Sequence, residues 1–117
     1  MSGTSWAIVA CVVALMLFKV YTGRRSPEQI TAMQEAVANG ALLLDVRSPG
    51  EFSGQHLEGA LNIPVGELQS RLGELGDTSQ TVVVYCASGV RSKAAAQVLQ
   101  AGGFTGVHDL GSWRNWP

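Results

Sequence analysis

Apolar residues form two different patterns along this chain. The first is an unbroken apolar run from Trp6 to Phe18, which Val20 and Tyr21 extend. From Ser26 onward, short continuous apolar runs alternate with stretches in which apolar residues recur at helical spacing. A regular alternation of strands and helices is typical of a parallel sheet covered on both faces. We therefore predict an α/β domain with a parallel sheet and helices on both faces.

Helix-start signals place these elements more closely. The pairs Ser26-Pro27 and Ser48-Pro49 are typical of helix starts, because serine caps a helix and proline fits its first turn. The predicted strands cover residues 41–46, 60–63, 81–85 and 107–109, and the predicted helices begin near residues 26, 48, 65 and 92. We expect the third helix to continue to Leu75 and a last helical turn to follow Gly111-Ser112.

The N-terminal apolar segment predicts a membrane anchor over residues 6–21, so that residues 1–25 form an anchor and linker and residues 26–117 a domain. A spanning helix needs roughly 17–25 residues. Positive charge follows the run at Lys19, Arg24 and Arg25, and none precedes it. The positive-inside rule then places the domain on the cytoplasmic side of a single-pass protein. The alternative is an atypical signal peptide with an exported domain.

The charge balance of the domain argues against a nucleic-acid partner. Residues 26–117 contain five Lys and Arg residues and nine Asp and Glu residues, a net charge of −4. Arg91 and Lys93, two of those five cations, lie just after Cys86. Such a local concentration of positive charge in an acidic domain favours a small anion.

Two cysteines, Cys11 and Cys86, are present in the whole chain. One lies in the apolar segment and the other in the domain, so an internal disulfide is not expected. Cys86 is then a free thiol, as in a reducing compartment. Zinc-type ligand spacing is absent, and we predict no metal site.

Cys86 is the candidate nucleophile. It ends an apolar strand and opens a short loop to Arg91, after which the helical pattern begins. Backbone N–H groups in such a loop bind anions, and the following helix start adds further N–H donors. Both stabilise a thiolate, which is the reactive form of cysteine. The alternative is an inert cysteine buried at a strand end.

Two stretches carry a resemblance to the rhodanese-like single-domain sulfurtransferases. The first reads LDVRSPGEF over residues 44–52 and HLEGALNIP over residues 56–64, and the second reads VYCASGVRS over residues 84–92. The similarity covers nearly all of residues 26–117 and excludes the N-terminal segment. It implies the rhodanese-like α/β fold and an activity that moves a sulfane sulfur.

The resemblance also implies roles for particular residues. Cys86 matches the position that carries sulfur as a persulfide, taken from thiosulfate or a persulfide and passed to cyanide or a thiol. The loop that would bind the anion consists of Ala87, Ser88, Gly89, Val90 and Arg91. The supporting residues would be Asp45, Arg47, Glu51 and His56. No cofactor or metal is implied, and a membrane protein or sulfur-carrier protein is a further class of partner.

Two features separate this chain from relatives of the same general fold. The loop interior holds Ala87 and Ser88, and position 51 is acidic, where two-domain thiosulfate sulfurtransferases usually have cations. We therefore expect weak use of thiosulfate. Four residues separate Cys86 from Arg91, one fewer than in related phosphatases, which disfavours a phosphatase or arsenate reductase. A non-catalytic, membrane-tethered binding module is the other alternative.

Overall fold

The computed structural model describes residues 6–14 and 24–117. Residues 6–14 are helical and are named α1 here. The helices α2 to α5 are Pro27–Ala38, Pro49–Gly54, Val65–Leu68 and Val90–Ala101. The strands β1 to β4 are Leu42–Asp45, Leu61–Asn62, Val82–Cys86 and Val107–Ser112. Two 3-10 helices cover Gln69–Leu75 and Trp113–Asn115.

The four strands found in this part of the chain form one parallel sheet in the order β2-β1-β3-β4. Every residue of β3 is buried, because this strand is internal and has helices on both sides. Burial of each large apolar side chain there contributes roughly 1.5–3 kcal/mol. The predicted α/β fold with a parallel sheet is confirmed.

Alternating side chains of the strands divide the core into two clusters. Leu43, Val83 and Leu110 face α2, where Met33 packs against them. Leu44, Val84 and Cys86 belong to the other cluster, together with residues of α4, the first 3-10 helix and α5. Period-two alternation along β3 therefore points the Cys86 side chain toward the α5 face.

Serine caps define the two helices that begin with proline. Ser26 and Ser48 each accept a hydrogen bond from the backbone N–H three residues later. Gln29 and Glu51 reach back to the N–H groups of those serines, which completes a capping box in each case. The second box fixes the position of Glu51 at the start of α3.

The helix predicted from Val65 to Leu75 is wrong in type beyond its first turn. α4 ends at Leu68, and a 3-10 helix continues from Gln69 to Leu75. Leu72 and Leu75 are three residues apart, a spacing that aligns side chains on one face of a 3-10 helix as well. Apolar spacing alone does not separate these two conformations.

β4 is longer than the sequence indicates. It runs to Ser112 and contains an irregularity, since Asp109 pairs with Val84 and Gly111 pairs with Tyr85. Gly111 has φ of +77°, a conformation that favours glycine. The bulge brings Ser112 alongside Cys86.

The N-terminal helix does not support the predicted anchor as far as it is described. No helix within residues 6–14 and 24–117 is both long and apolar enough to cross a membrane. The predicted span of residues 6–21 continues into residues 15–21, which lie outside the described residues. Membrane attachment therefore stays a prediction from the sequence.

Candidate active site

Cys86 lies at the carboxyl end of β3, and it is fully buried. Its Sγ atom accepts a hydrogen bond from the Gly89 N–H, with a nitrogen–sulfur distance of 2.9 Å. In open parallel sheets, ligands bind at the carboxyl ends of the strands. A backbone donor aimed at the sulfur from the next loop stabilises negative charge on it.

Gly89 determines how the chain leaves Cys86. Its φ is +104°, and it is the N-cap residue of α5. The Ser92 hydroxyl donates a hydrogen bond to the Gly89 carbonyl at 3.1 Å. The helix begins at Val90, two residues before the predicted start, because a left-handed glycine turns the strand directly into the helix. Val90 and Arg91 thus belong to the first turn of α5.

The remaining loop side chains carry no charge. Ala87 is half-buried, while Ser88 is exposed. Val90 is 76% exposed, although it is a large apolar residue. Apart from Arg91, this loop therefore presents backbone groups and small or apolar side chains to an incoming molecule.

Arg91, at the end of the loop, forms an ion pair with Glu51 in the first turn of α3. Its Nη1 and Nη2 atoms lie 2.7 and 3.0 Å from the two carboxylate oxygens. This hydrogen-bonded pair lowers the pKa of Glu51 from 4.5 to about 2, with a further contribution from the Ser48 N–H. The pKa of Arg91 is raised, chiefly by the same hydrogen bond. Both groups are charged throughout the physiological range.

Asp45 and Arg47 form a second ion pair, which is buried. The Arg47 Nη2 atom lies 2.8 Å from the Asp45 carboxylate and 2.6 Å from the Gln55 carbonyl oxygen. The guanidinium also lies over the rings of Tyr85 and Trp113, at 5.7 and 5.6 Å from their centres. These contacts join the ends of β1 and β3 to the C-terminal 3-10 helix. Asp45 and Arg47 therefore have a structural role at this edge of the sheet.

His56 contacts a neighbouring ring and carbonyl in its own segment. Its ring stacks on that of Phe52 with a centre-to-centre distance of 3.7 Å. Its Nδ1 atom lies 2.8 Å from the Phe52 carbonyl oxygen. The side chain is exposed, and these contacts shape the turn after α3.

Two features of the site were not singled out from the sequence. Tyr85 is buried next to Cys86, and its hydroxyl accepts a hydrogen bond from the Leu57 N–H at 3.1 Å. Burial raises the pKa of Tyr85 to about 12. Gly111 contacts the loop from β4 through its backbone. Tyr85 lies within the apolar run that predicts a buried strand, and Gly111 lies at the predicted start of the last helical turn.

A surface groove in the described part of the chain is separate from the Cys86 loop. A groove of about 460 Å³ lies between the first 3-10 helix and α5, where Leu72 and Val98 contribute to its walls. None of its lining residues belongs to the loop after Cys86. Within the same residues, no three His, Cys, Asp or Glu side chains are grouped as metal ligands.

Known proteins are similar to this chain in sequence. The uncharacterized protein YqhL of Bacillus subtilis is 44% identical over 77 residues, which are 65% of this chain and 60% of that protein. The chain thus spans less than two thirds of YqhL. Thiosulfate sulfurtransferase 16, chloroplastic, of Arabidopsis thaliana is 33% identical over 107 residues, 78% of this chain and 86% of that protein.

A solved structure and a family model agree with these relatives. The human single-domain sulfurtransferase TSTD1 superimposes with a TM-score of 0.66 and 31% identity, over 74% of this chain and 89% of that one. The model of the rhodanese-like domain matches residues 26–117. This range contains the whole sheet, the Cys86 loop and both ion pairs. The chain therefore belongs to the family of rhodanese-like domains.

Proposed function

We propose that this chain is a sulfurtransferase that carries a sulfane sulfur on Cys86 as a persulfide. The observation that carries the proposal is the hydrogen bond from the Gly89 N–H to the Cys86 sulfur, at 2.9 Å. The loop that supplies this donor opens into the first turn of α5, where further N–H groups begin the helix. Relatives named thiosulfate sulfurtransferase support the same activity.

In the first half-reaction, the Cys86 thiolate attacks the outer sulfur of a donor. A new S–S bond forms on Cys86, and the bond within the donor breaks. With thiosulfate, the departing sulfite takes the bonding electron pair, and with a persulfide the thiolate leaves. The cysteine then carries a terminal persulfide sulfur with a negative charge, which the backbone donors from Ala87 to Arg91 stabilise.

In the second half-reaction, a nucleophilic acceptor attacks that terminal sulfur. Cyanide yields thiocyanate, and a thiolate yields a new persulfide, while the Cys86 thiolate is the leaving group in both cases. No oxidant or reductant is needed. Small sulfur anions and persulfides are thus the proposed donors, and cyanide, a small thiol or a sulfur-carrier protein is the proposed acceptor.

The supporting residues act through the position of the loop. Asp45 and Arg47 hold the ends of β1 and β3 together beneath it. Glu51 restrains Arg91, and His56 orders the turn after α3. None of these side chains is given a proton-transfer role in the proposed cycle, because the nucleophile that attacks the donor is the thiolate.

The direct test is the intact mass of the full chain after incubation with thiosulfate or glutathione persulfide. We expect the native protein to gain one sulfur atom and to lose it again when cyanide is added. Cys86→Ser should gain none, because a serine hydroxyl stays protonated at neutral pH.

Cys11→Ser is the matched control, since Cys11 is the second free thiol of the chain. It should load sulfur as the native protein does. Loading on Cys11 alone, or no loading with either donor, would exclude the proposed activity and favour a binding module.

We further propose that residues 6–21 anchor the protein in a membrane with the domain on the cytoplasmic side. The apolar run and the charges at Lys19, Arg24 and Arg25 support this. A compartment-sensitive reporter fused after Pro117 should show the activity of a reporter on the cytoplasmic side. The fusion protein should be recovered in the membrane fraction. Activity on the translocated side, or a mature N-terminus near Thr22, would show an export signal instead.

A further inference from the structure

The one charged side chain of the Cys86 loop, that of Arg91, is already paired with the carboxylate of Glu51. Arg91 places both terminal nitrogens of its guanidinium on Glu51, at 2.7 and 3.0 Å. Each side chain is 36% exposed, so the pair lies partly at the surface of the domain. A two-point pair of this kind fixes the orientation of the guanidinium plane.

Glu51 is itself held from a second direction. Its Oε1 atom accepts a hydrogen bond from the Ser48 N–H at 3.1 Å, as part of the capping box of α3. The carboxylate therefore belongs to a capped residue in the first turn of α3, and the guanidinium belongs to a residue in the first turn of α5. Arg91 cannot turn its charge toward a substrate without breaking two hydrogen bonds to a fixed partner.

The other two cations considered, Arg47 and Lys93, do not replace the neutralised charge of Arg91. Arg47 is buried and paired with Asp45. Lys93 is exposed in the first turn of α5, where water solvates it. Ala87 and Ser88 contribute no charge, so an anion in the loop meets backbone N–H groups and an Arg91 that is already paired with Glu51.

We propose that Glu51 is a positioning residue that determines donor specificity by neutralising Arg91. The loop then accepts donors whose reacting group carries a single negative charge and disfavours dianions such as thiosulfate. The proposal rests on the sulfurtransferase activity proposed above and specifies its substrate class. A dianion finds the Arg91 charge already paired with Glu51, whereas the N–H donors suffice for one charged sulfur.

The test compares two donors that differ in charge. Thiosulfate is a dianion, and benzenethiosulfonate is a monoanion whose outer sulfur leaves benzenesulfinate behind. The native chain should show the higher kcat/KM with benzenethiosulfonate. Glu51→Gln retains the capping box and frees the Arg91 charge. We expect kcat/KM for thiosulfate to rise about five- to tenfold, mainly through KM, because a positioned charge contact is gained.

A matched control exists in the exposed pair between Arg71 and Glu74, which is also two-pointed, at 2.7 and 3.0 Å. Glu74→Gln should leave the ratio of the two donors unchanged. Glu51→Asp, which keeps the charge, should restore the native preference at least in part. An unchanged ratio in Glu51→Gln, or an equal loss with both donors, would show that Glu51 only braces the loop.

A binding measurement separates this proposal from the activity on which it rests. Thiosulfate is titrated into the full chain with Cys86→Ser and into the same chain with Glu51→Gln added. We expect tighter binding in the double variant and a steeper loss of affinity with added salt. Equal affinities would overturn the role of Glu51, whereas a native chain that loads no sulfur would overturn the activity alone.

Discussion

Gly89 in the cysteine loop faces the backbone of Gly111 in β4. A Cβ atom added to Gly89 would lie 3.7 Å from the Gly111 Cα, which is ordinary van der Waals contact. Both glycines have positive φ, +104° and +77°. The loop that holds the sulfur is therefore supported by a neighbouring strand at a point where both backbones adopt left-handed conformations.

Gly89→Ala tests this support. There is space for the methyl group, so the cost arises from the positive φ and should be about 1–2 kcal/mol of unfolding free energy. The strain should also displace the N–H that faces Cys86, and we expect sulfur loading to slow by about tenfold or more. Thermal unfolding and the rate of mass gain measure the two effects.

Gly66→Ala is the control for that substitution, because Gly66 lies in α4 with nothing within 4 Å of an added Cβ. It should keep the native rate of loading and should not lower stability. A native loading rate in Gly89→Ala would contradict the role given to the loop backbone.

Asp45→Asn should destabilise the domain strongly. It leaves the buried Arg47 guanidinium without its negative partner, and removal of one member of a buried pair costs about 3–5 kcal/mol. Glu74→Gln, which breaks the exposed Arg71 pair, should change stability little, because solvent screens surface ion pairs. Chemical denaturation of both variants checks the comparison, and similar midpoints would refute a structural role for the buried pair.

The buried Tyr85 hydroxyl predicts a loss of stability at high pH. Its pKa is raised from 10.0 to about 12 in the folded protein, mainly by burial. The folded state thus holds this proton more tightly, and the resulting stability is complete below pH 10 and is lost as the pH rises through about 12. Phenolate absorbance of the native chain should show this late step, and Tyr85→Phe should remove it.

Ser88→Lys adds a cation to the loop that Glu51 does not already hold. Ser88 is exposed, so the new ammonium can reach an anion bound near Cys86. We expect KM for thiosulfate to fall about three- to tenfold, because a charge-assisted contact is gained. Gln100→Lys adds the same charge near the other end of α5 and should have no such effect. A fall of equal size in both variants would indicate a general effect of net charge.

Local sequence signals predicted those parts of the molecule whose causes are local. The serine–proline caps of α2 and α3 and the apolar strand before Cys86 are all present in the structure. Signals carried by glycine were less informative. The sequence pattern places Gly89 in a loop before the helix and Gly111 at the start of the last helical turn. In the structure, Gly89 caps α5, Gly111 lies at the bulge of β4, and the helical turn begins at Trp113.

The pairing of Glu51 with Arg91 could not have been predicted from the residues alone. The two positions are 40 residues apart, and only the packing of α3 beside the start of α5 brings them together. Asp45 and Arg47, in contrast, are two residues apart at a strand end, so the sequence alone brings them close together. Sequence separation thus explains why the contact between Asp45 and Arg47 can be inferred from the sequence, whereas the contact between Glu51 and Arg91 cannot.

Arg25 determines where the N-terminal segment joins the domain. Its Nε atom donates to the Asp109 carbonyl at 2.8 Å, and its Nη2 atom lies near Gly111, at the carboxyl end of β4. The chain therefore enters the domain on the same edge of the sheet as Cys86. A molecule bound by residues N-terminal to Arg25 would meet Cys86 at an effective concentration determined by the length of chain between them rather than by its concentration in solution.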